Sequence, residues 1–440
     1  MGRRSIRRTD GSLRSIAILV VSRGFVAGAG FLASALWAHY FSKDSYGRYQ
    51  ILVAVASVVA SFCLTGLDDA TLISAAKKKD GNLWPIIKLR LIASTIGAVA
   101  IAVWAIVRYW YPDPILAEAM LVSAALFIPA QLASIWQSFT NGKGKFRALT
   151  IGQVALSSGN LVAVATFVAA GATSHSMLPW VVLGGQGATA TIGILLQFWL
   201  RNIKETDDRD PAIIRYGHHV TVASLIGWVF SADRLIVGEV MTPADVAVLS
   251  VAIVLPAQVK VFFNAFEQVF LPGVTAAASV ADAWVYIKPR MFRLGAAYIT
   301  LGLIGFFLLP ILIPLFFSQR YIDAVPYAKW LWLSTCMASP FVFLASILNA
   351  QQDRRFLYTR RLSSQLILLA MFFILIPQFG LLGAIVARII NHAILIVFNT
   401  AYFAHVIRAR PPSTPPSNVT PPETPSTPST PTDPPAADPP

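Results

Sequence analysis

The chain has 440 residues, 56% of them hydrophobic and 13% charged, with a mean hydropathy of +0.63 and a formal net charge of +14. Ordinary soluble domains carry about a quarter charged residues, so this composition excludes a set of water-solvated domains. The basic residues fall in small clusters between apolar stretches, not on one face or in one run, which excludes nucleic acid as a partner and reads as a topology signal.

In chain order, apolar runs of about 20 residues, the length that crosses a hydrocarbon core of ~30 Å, predict spans at 15–41, 49–67, 84–107, 115–138, 148–170 and 178–200. Further runs follow at 217–240, 246–270, 294–317, 327–349, 362–378 and 381–407, the last two divided by a kink or a turn at Pro377 to Gly380. The fold expected is an all-α polytopic membrane protein of about twelve helices. The first run follows a basic stretch, as in a signal peptide, but its length and the interruption by Arg23 predict an uncleaved span. Cytoplasmic connections retain Lys and Arg. Alternate connections hold Arg3, Arg4, Arg7, Arg8 and Arg14, then Lys77, Lys78, Lys79, Lys88 and Arg90, then Lys143, Lys145 and Arg147, with later clusters from Arg201, Lys288, Arg354 and Arg408. The opposite connections hold Lys43, Arg48, Arg108 and Arg320. Both termini are therefore expected in the cytoplasm, with an even number of spans. Residues 409–440 collapse to Pro, Thr and Ser with a few acids, a composition that cannot bury a core and predicts a disordered tail.

A shift of about 200 residues lays the stretch from Ala35 over the stretch from Leu235, both a helix end, a polar loop and a helix start. A weaker echo sets Pro129 with Ala133, Ser134 and Ile135 beside Pro340 with Ala345, Ser346 and Ile347. An even number of spans between the copies implies halves of parallel topology. Residues 1–210 and 211–408 are accordingly expected to form two six-helix lobes around a central cavity.

Four stretches carry a family resemblance. DRLIVGEVMTPADVAVLS from Asp233 resembles a stretch of polysaccharide and lipid-linked oligosaccharide flippases, and YGRY from Tyr46 looks like its first-half counterpart. LFFSQRYIDAVPYAKWL from Leu315 is similar to the family's outer-loop motif, with Ser318 where a glycine is usual, and IPQFGLLGAIVARI from Ile376 matches its entry into the last helices. The resemblance implies the multidrug/oligosaccharidyl-lipid/polysaccharide (MOP) exporter superfamily, a MATE-like fold and alternating access. It implies a flippase for a polyprenyl-pyrophosphate-linked oligosaccharide, an O-antigen, exopolysaccharide or capsule repeat unit, in a bacterial inner membrane. Partners implied are that substrate, membrane lipids, a polysaccharide polymerase and export machinery. A small-molecule or multidrug antiporter of the same fold and a membrane-embedded glycan ligase or polymerase are the alternatives.

No Walker A loop, HExxH motif or nucleophile elbow is present, and Cys63 and Cys336 lack metal-type spacing, so no catalytic residue, metal or cofactor is expected. What remains are ionisable groups inside spans, each costing about 2.5–3.5 kcal/mol at mid-helix. Arg23 shares a helical stripe with Ala27, Gly30 and Ser34, although Gly24 and Gly28 beside it also form a helix-packing pattern. Arg234 continues a stripe of Ser224, Gly227 and Ser231, and its neighbour Asp233 points elsewhere, toward a structural pair with another helix. Lys260 and Asn264 share a face of one helix, and Arg388 and His392 a face of the last. Arg23, Arg234, Lys260 and Arg388 outnumber the deep acids, which suits an anionic ligand such as a pyrophosphate. Ser34, Ser231, Asp233, Asn264 and His392 are the supporting polar candidates. Asp68 is expected at a solvated helix end or paired with Lys77.

Overall fold

Residues 6–110, 113–200, 202–275, 280–350 and 354–409 are described in a computed structural model; beyond Ala409 the expected tail lies outside them. Every regular element among these residues is helical. The first half holds α1 (Ile6–Tyr40), α2 (Lys43–Phe62), α3 (Gly66–Ala76), α4 (Leu83–Trp110), α5 (Pro114–Gly142), α6 (Phe146–Ala169) and α7 (Leu178–Leu200). The second holds α8 (Pro211–Ser224), α9 (Val229–Val240), α10 (Pro243–Thr275), α11 (Val280–Phe317), α12 (Val325–Ala338), α13 (Val342–Ala350), α14 (Arg354–Phe379) and α15 (Leu381–Ala409).

Local chemistry sets several ends. Asp113 and Asp210 cap α5 and α8, with Pro114 and Pro211 in the first turn, where no amide proton is needed. The break at Pro377 to Gly380 is a turn, made by Gly380 at φ 58, a conformation that favours glycine. Gly383, one turn on, lies so close to α14 that a Cβ would stand 2.1 Å from the Leu375 carbonyl oxygen. Those two constraints explain the Phe-Gly-x-x-Gly spacing.

Among the described residues ten stretches are long and apolar enough to cross a membrane, and the α2–α3 pair, bent by 57°, raises the number to 11. The all-helical polytopic architecture is as expected, but three of the expected runs are interrupted. The run at 49–67 breaks at Cys63 and Leu64, where Leu64 takes a φ of 56. The run at 217–240 divides into α8 and α9 around a 3-10 turn at Leu225–Trp228, and that at 327–349 is interrupted by a turn at Ser339–Phe341.

Arg90 repairs the first break. Grouped by sequence with cytoplasmic loop cations, it is instead 2% exposed within α4. Its Nη1 donates to the Cys63 carbonyl oxygen at 2.7 Å, and its Nη2 to Gln131 Oε1 and Ser134 Oγ at 3.1 Å. Asp68 is likewise neither solvated nor paired with Lys77: Arg90 holds it at 3.5 Å and Ser134 Oγ donates to it at 3.0 Å. A carbonyl freed inside a bilayer finds no water, so protein donors must satisfy it.

α4 to α7 pack on one another with α1 against α6, and α10 to α15 form a second bundle; α2 lies on α9 and α10, and α3 on α8. The largest apolar core joins both bundles at the face where α1 ends and α2 begins, with Trp37, Phe41, Tyr46, Leu52, Val246, Phe317, Tyr321 and Phe372 among its members. Toward the opposite face the core divides. One part gathers Leu67, Ile86, Trp136 and Phe139 of the first bundle, and the other Val259, Phe263, Ile287 and Phe343 of the second. The divided side carries the connections rich in Lys and Arg and is termed the basic face; the other is the far face.

The halves meet closely at both faces: at the basic face α3 packs on α8, where the Gly66 amide donates to Thr221 Oγ1 at 3.1 Å, and at the far face they share the largest core. At Gly47 a Cβ would stand 1.7 Å from the Pro243 carbonyl oxygen, Lys43 pairs with Asp323 at 3.0 Å, and the Tyr46 and Tyr321 rings meet edge to face at 6.3 Å. Lipid tails are as apolar as the helices, so such close packing, not water exclusion, holds the halves together.

Ser318, at the end of α11, takes φ 80 and ψ 154, a conformation that costs a residue bearing a Cβ about 1–3 kcal/mol. Ser318→Gly should therefore raise the thermal unfolding midpoint of the detergent-solubilised protein. A lower or unchanged midpoint would contradict strain at this turn.

Candidate functional site

A cavity of about 740 Å³ lies between α1, α5, α6 and α10, lined by Arg23, Gly24, Ala27, Gly28 and Phe31, by Gln137, Gln153 and Ser157, and by Leu255 and Gln258. With a rise of about 1.5 Å per residue, Phe31 lies ~13 Å and Arg23 ~25 Å below Tyr40 at the far face. The cavity therefore occupies the basic half, where the apolar core has divided. Arg23 is exposed and has no hydrogen-bond or ion-pair partner among the described residues. Gly24 and Gly28 have open space where a Cβ would stand, so they shape the cavity wall and pack against no helix.

Arg234 lies elsewhere. Counted from Val240, which ends α9 at the far face, it is ~9 Å deep, some 15 Å beyond Arg23. It sits beside Tyr46, Asp233 and Arg388, and its Nε is buried without an acceptor. Asp233, 0% exposed, is held from α15: Arg388 Nε and Nη2 reach its Oδ2 at 2.8 and 2.5 Å. Arg388 Nη2 also donates to the Phe230 carbonyl oxygen at 2.9 Å, and the guanidinium lies 5.9 Å from the centre of the Phe372 ring. Asp233 thus faces two guanidinium groups, pairing directly with Arg388 and lying beside Arg234. Ser34 meets the buried Tyr46 hydroxyl across the α1–α2 contact. Ser231 is half-buried one turn before Arg234.

Lys260 and His392 line a separate cavity of about 220 Å³ within the second bundle. The side chain of Asn264 lies outside the described residues. The sequence-predicted cations are therefore distributed among three places: Arg23 in the large cavity, Arg234 and Arg388 around Asp233, and Lys260 in the smaller pocket.

Sequence reasoning missed the amide lining of the large cavity. Gln137, Gln153 and Gln258 are uncharged, and attention to ionisable groups passed over them; three glutamines inside otherwise apolar runs were the available signal. At the basic face Lys143 joins Asp80 at 2.7 Å and Glu205 at 3.2 Å, tying the connection after α7 to the first bundle. There a hydrogen bond from Lys204 holds the Asp207 carboxyl below its usual range.

The sequence profile of a family of polysaccharide biosynthesis proteins matches residues 37–334. No curated protein gives a significant match. An inward-facing structure of a multidrug resistance MATE family transporter of the MOP superfamily superposes with a TM-score of 0.69 at 13% identity, covering 89% of this chain and 98% of that one. An outward-facing structure of such a transporter gives 0.61 at 13% identity, over 90% and 96%. A MOP superfamily transporter from Pyrococcus furiosus, described as having a binding pocket of reversed polarity, gives 0.59 at 12% identity, over 89% and 96%.

Removing the acid from the Asp233–Arg388 pair leaves two buried guanidinium groups without a carboxylate, a loss of about 3–5 kcal/mol for a buried pair. Asp233→Asn should sharply reduce the amount of folded protein in the membrane, and adding Arg388→Met should recover much of it. Normal abundance of Asp233→Asn, measured by immunoblot of membranes, would show that the pair carries little stability.

Proposed function

We propose, for a chain that belongs to the polysaccharide biosynthesis protein family, that it flips a polyprenyl-pyrophosphate-linked oligosaccharide from the cytoplasmic to the outer leaflet of a bacterial inner membrane. The chain is a multi-pass MOP-superfamily transporter in polysaccharide biosynthesis, not an enzyme. The observation that carries the finer reading is the large cavity, with one unpaired arginine among amide and hydroxyl groups. A guanidinium takes two phosphate oxygens at once, more strongly in a low dielectric, while glutamines offer both donors and acceptors to sugar hydroxyls.

The depths of the two arginines favour succession over a joint grip. The two backbone positions differ by ~15 Å in height, which a pyrophosphate spans only with both arginine side chains extended toward each other. Arg23 takes the head group at the basic, cytoplasmic side; the far face then opens, and Arg234, with Arg388 and Ser231 around it, attracts the anion onward. The prenyl tail stays in lipid beside the cavity. Both termini are cytoplasmic in this reading, and polymerase and export machinery receive the product outside.

Surface glycan in a complemented null strain, measured beside membrane abundance, tests the cavity. Arg23→Ala should abolish display at normal abundance, and Arg23→Lys, which keeps the charge but loses the fork, should lower it roughly tenfold. Arg234→Ala should also stop display. Full display in both alanine variants would refute the reading. Orientation is checked separately: alkaline phosphatase fused after Arg410 should be inactive, and activity would reverse the topology.

A further inference from the structure

The pocket inside the second bundle has a chemistry of its own. It lies between α10, α12 and α15 beside the turn at Ser339–Phe341 that divides α12 from α13, and irregular backbone at membrane depth belongs where it lines a cavity. Its one charged group is Lys260, whose ammonium has no partner among the described residues. Its other polar groups are acceptors. Thr335 and Ser339 direct their hydroxyl protons to the carbonyl oxygens of Leu331 and Thr335 at 2.7 and 2.8 Å, which leaves lone pairs for a ligand. Asn399, 1% exposed, donates from Nδ2 to the Phe341 carbonyl oxygen at 3.3 Å, while its Oδ1 is buried with no donor.

His392 falls into the same pattern. Ser334 gives its proton to the Leu331 carbonyl oxygen at 3.0 Å and lies 3.1 Å from His392 Nδ1. With the hydroxyl proton so placed, Nδ1 is the donor and Nε2 of the neutral ring is an acceptor. One ammonium at one end and several acceptors around the rest describe a complementary ligand: a carboxylate carrying hydroxyl groups. The volume of about 220 Å³ is below the ~300–1,000 Å³ of pockets for drug-sized molecules and suits one monosaccharide-sized acid.

We propose that this pocket binds a small polyhydroxylated carboxylate, with Lys260 pairing to the carboxylate and Asn399 Oδ1 accepting from a hydroxyl. The site is independent of Arg23 and stands whether or not the large cavity carries a pyrophosphate.

Thermal unfolding of the purified, detergent-solubilised full chain tests it, with glucuronate as the probe, glucose as the uncharged control and acetate as the control without hydroxyls. A ligand that binds the folded state alone raises the midpoint as its concentration passes Kd. Glucuronate should raise it by a few degrees and the two controls should not. Lys260→Met should weaken the apparent affinity for glucuronate roughly tenfold or more, and Asn399→Ala, which keeps the charge, should bring glucuronate toward acetate. Arg23→Ala should leave the glucuronate shift intact, which separates this site from the large cavity. No shift with the wild-type chain, an equal shift with glucose, or a shift retained by both Lys260→Met and Asn399→Ala would overturn the proposal. The source of the carboxylate is read in cells: Lys260→Met losing export of acidic but not neutral glycans places it on the cargo, and equal export of both places it on a free acid.

Discussion

The structure depends on one apolar core that both halves share at the far face. Trp37, Phe41 and Tyr46 from the first half interlock with Phe317, Tyr321 and Phe372 from the second, while nearer the basic face the core separates into two clusters, one on the first half with Ile213 of α8 packed into it and one within the second half. A cavity has room only where the core divides, and the space beside Arg23 lies there. The close approach at Gly47 and the Lys43–Asp323 pair belong to the same closure. Such contacts are reversible: the ion pair is partly exposed and worth about 0–1 kcal/mol at a surface.

Charge inside the membrane follows a second constraint. Asp68 with Arg90 and Asp233 with Arg388 are each placed where backbone or a second cation also needs a partner: Arg90 serves the Cys63 carbonyl, and Asp233 accepts the Arg234 amide at 2.8 Å. These pairs organise broken helices and do not contact the large cavity. Arg23 and Lys260 have no such partner among the described residues, and Arg234 shares Asp233 with Arg388.

Much of this was legible in the sequence because apolar run length and glycine chemistry are local. The spans, the turn at Gly380 and the assignment of Asp233 to a partner helix follow from such signals. The break at Cys63 and Leu64 does not, since averaging over a span conceals one left-handed residue with no proline near it. Arg90 was misplaced because it lies only two turns into α4, where counting cations between apolar runs cannot tell a loop from a buried helix start. The stripes of Arg23 and Arg234 give a face but no common height, and the repeat, which aligns Arg23 with Ala223, could not supply one. Asn399 escaped notice because an orphaned amide oxygen is visible only when its neighbours are in place.

The central claim is that transport requires the far-face core to part while the basic half holds the substrate. Both native cysteines are buried, so a Lys43→Cys, Asp323→Cys variant offers two accessible thiols across the interface. Flipping of a lipid-linked oligosaccharide in proteoliposomes should stop when these thiols are joined by a short reducible crosslinker and return on reduction. Undiminished flipping by the crosslinked protein would contradict the account.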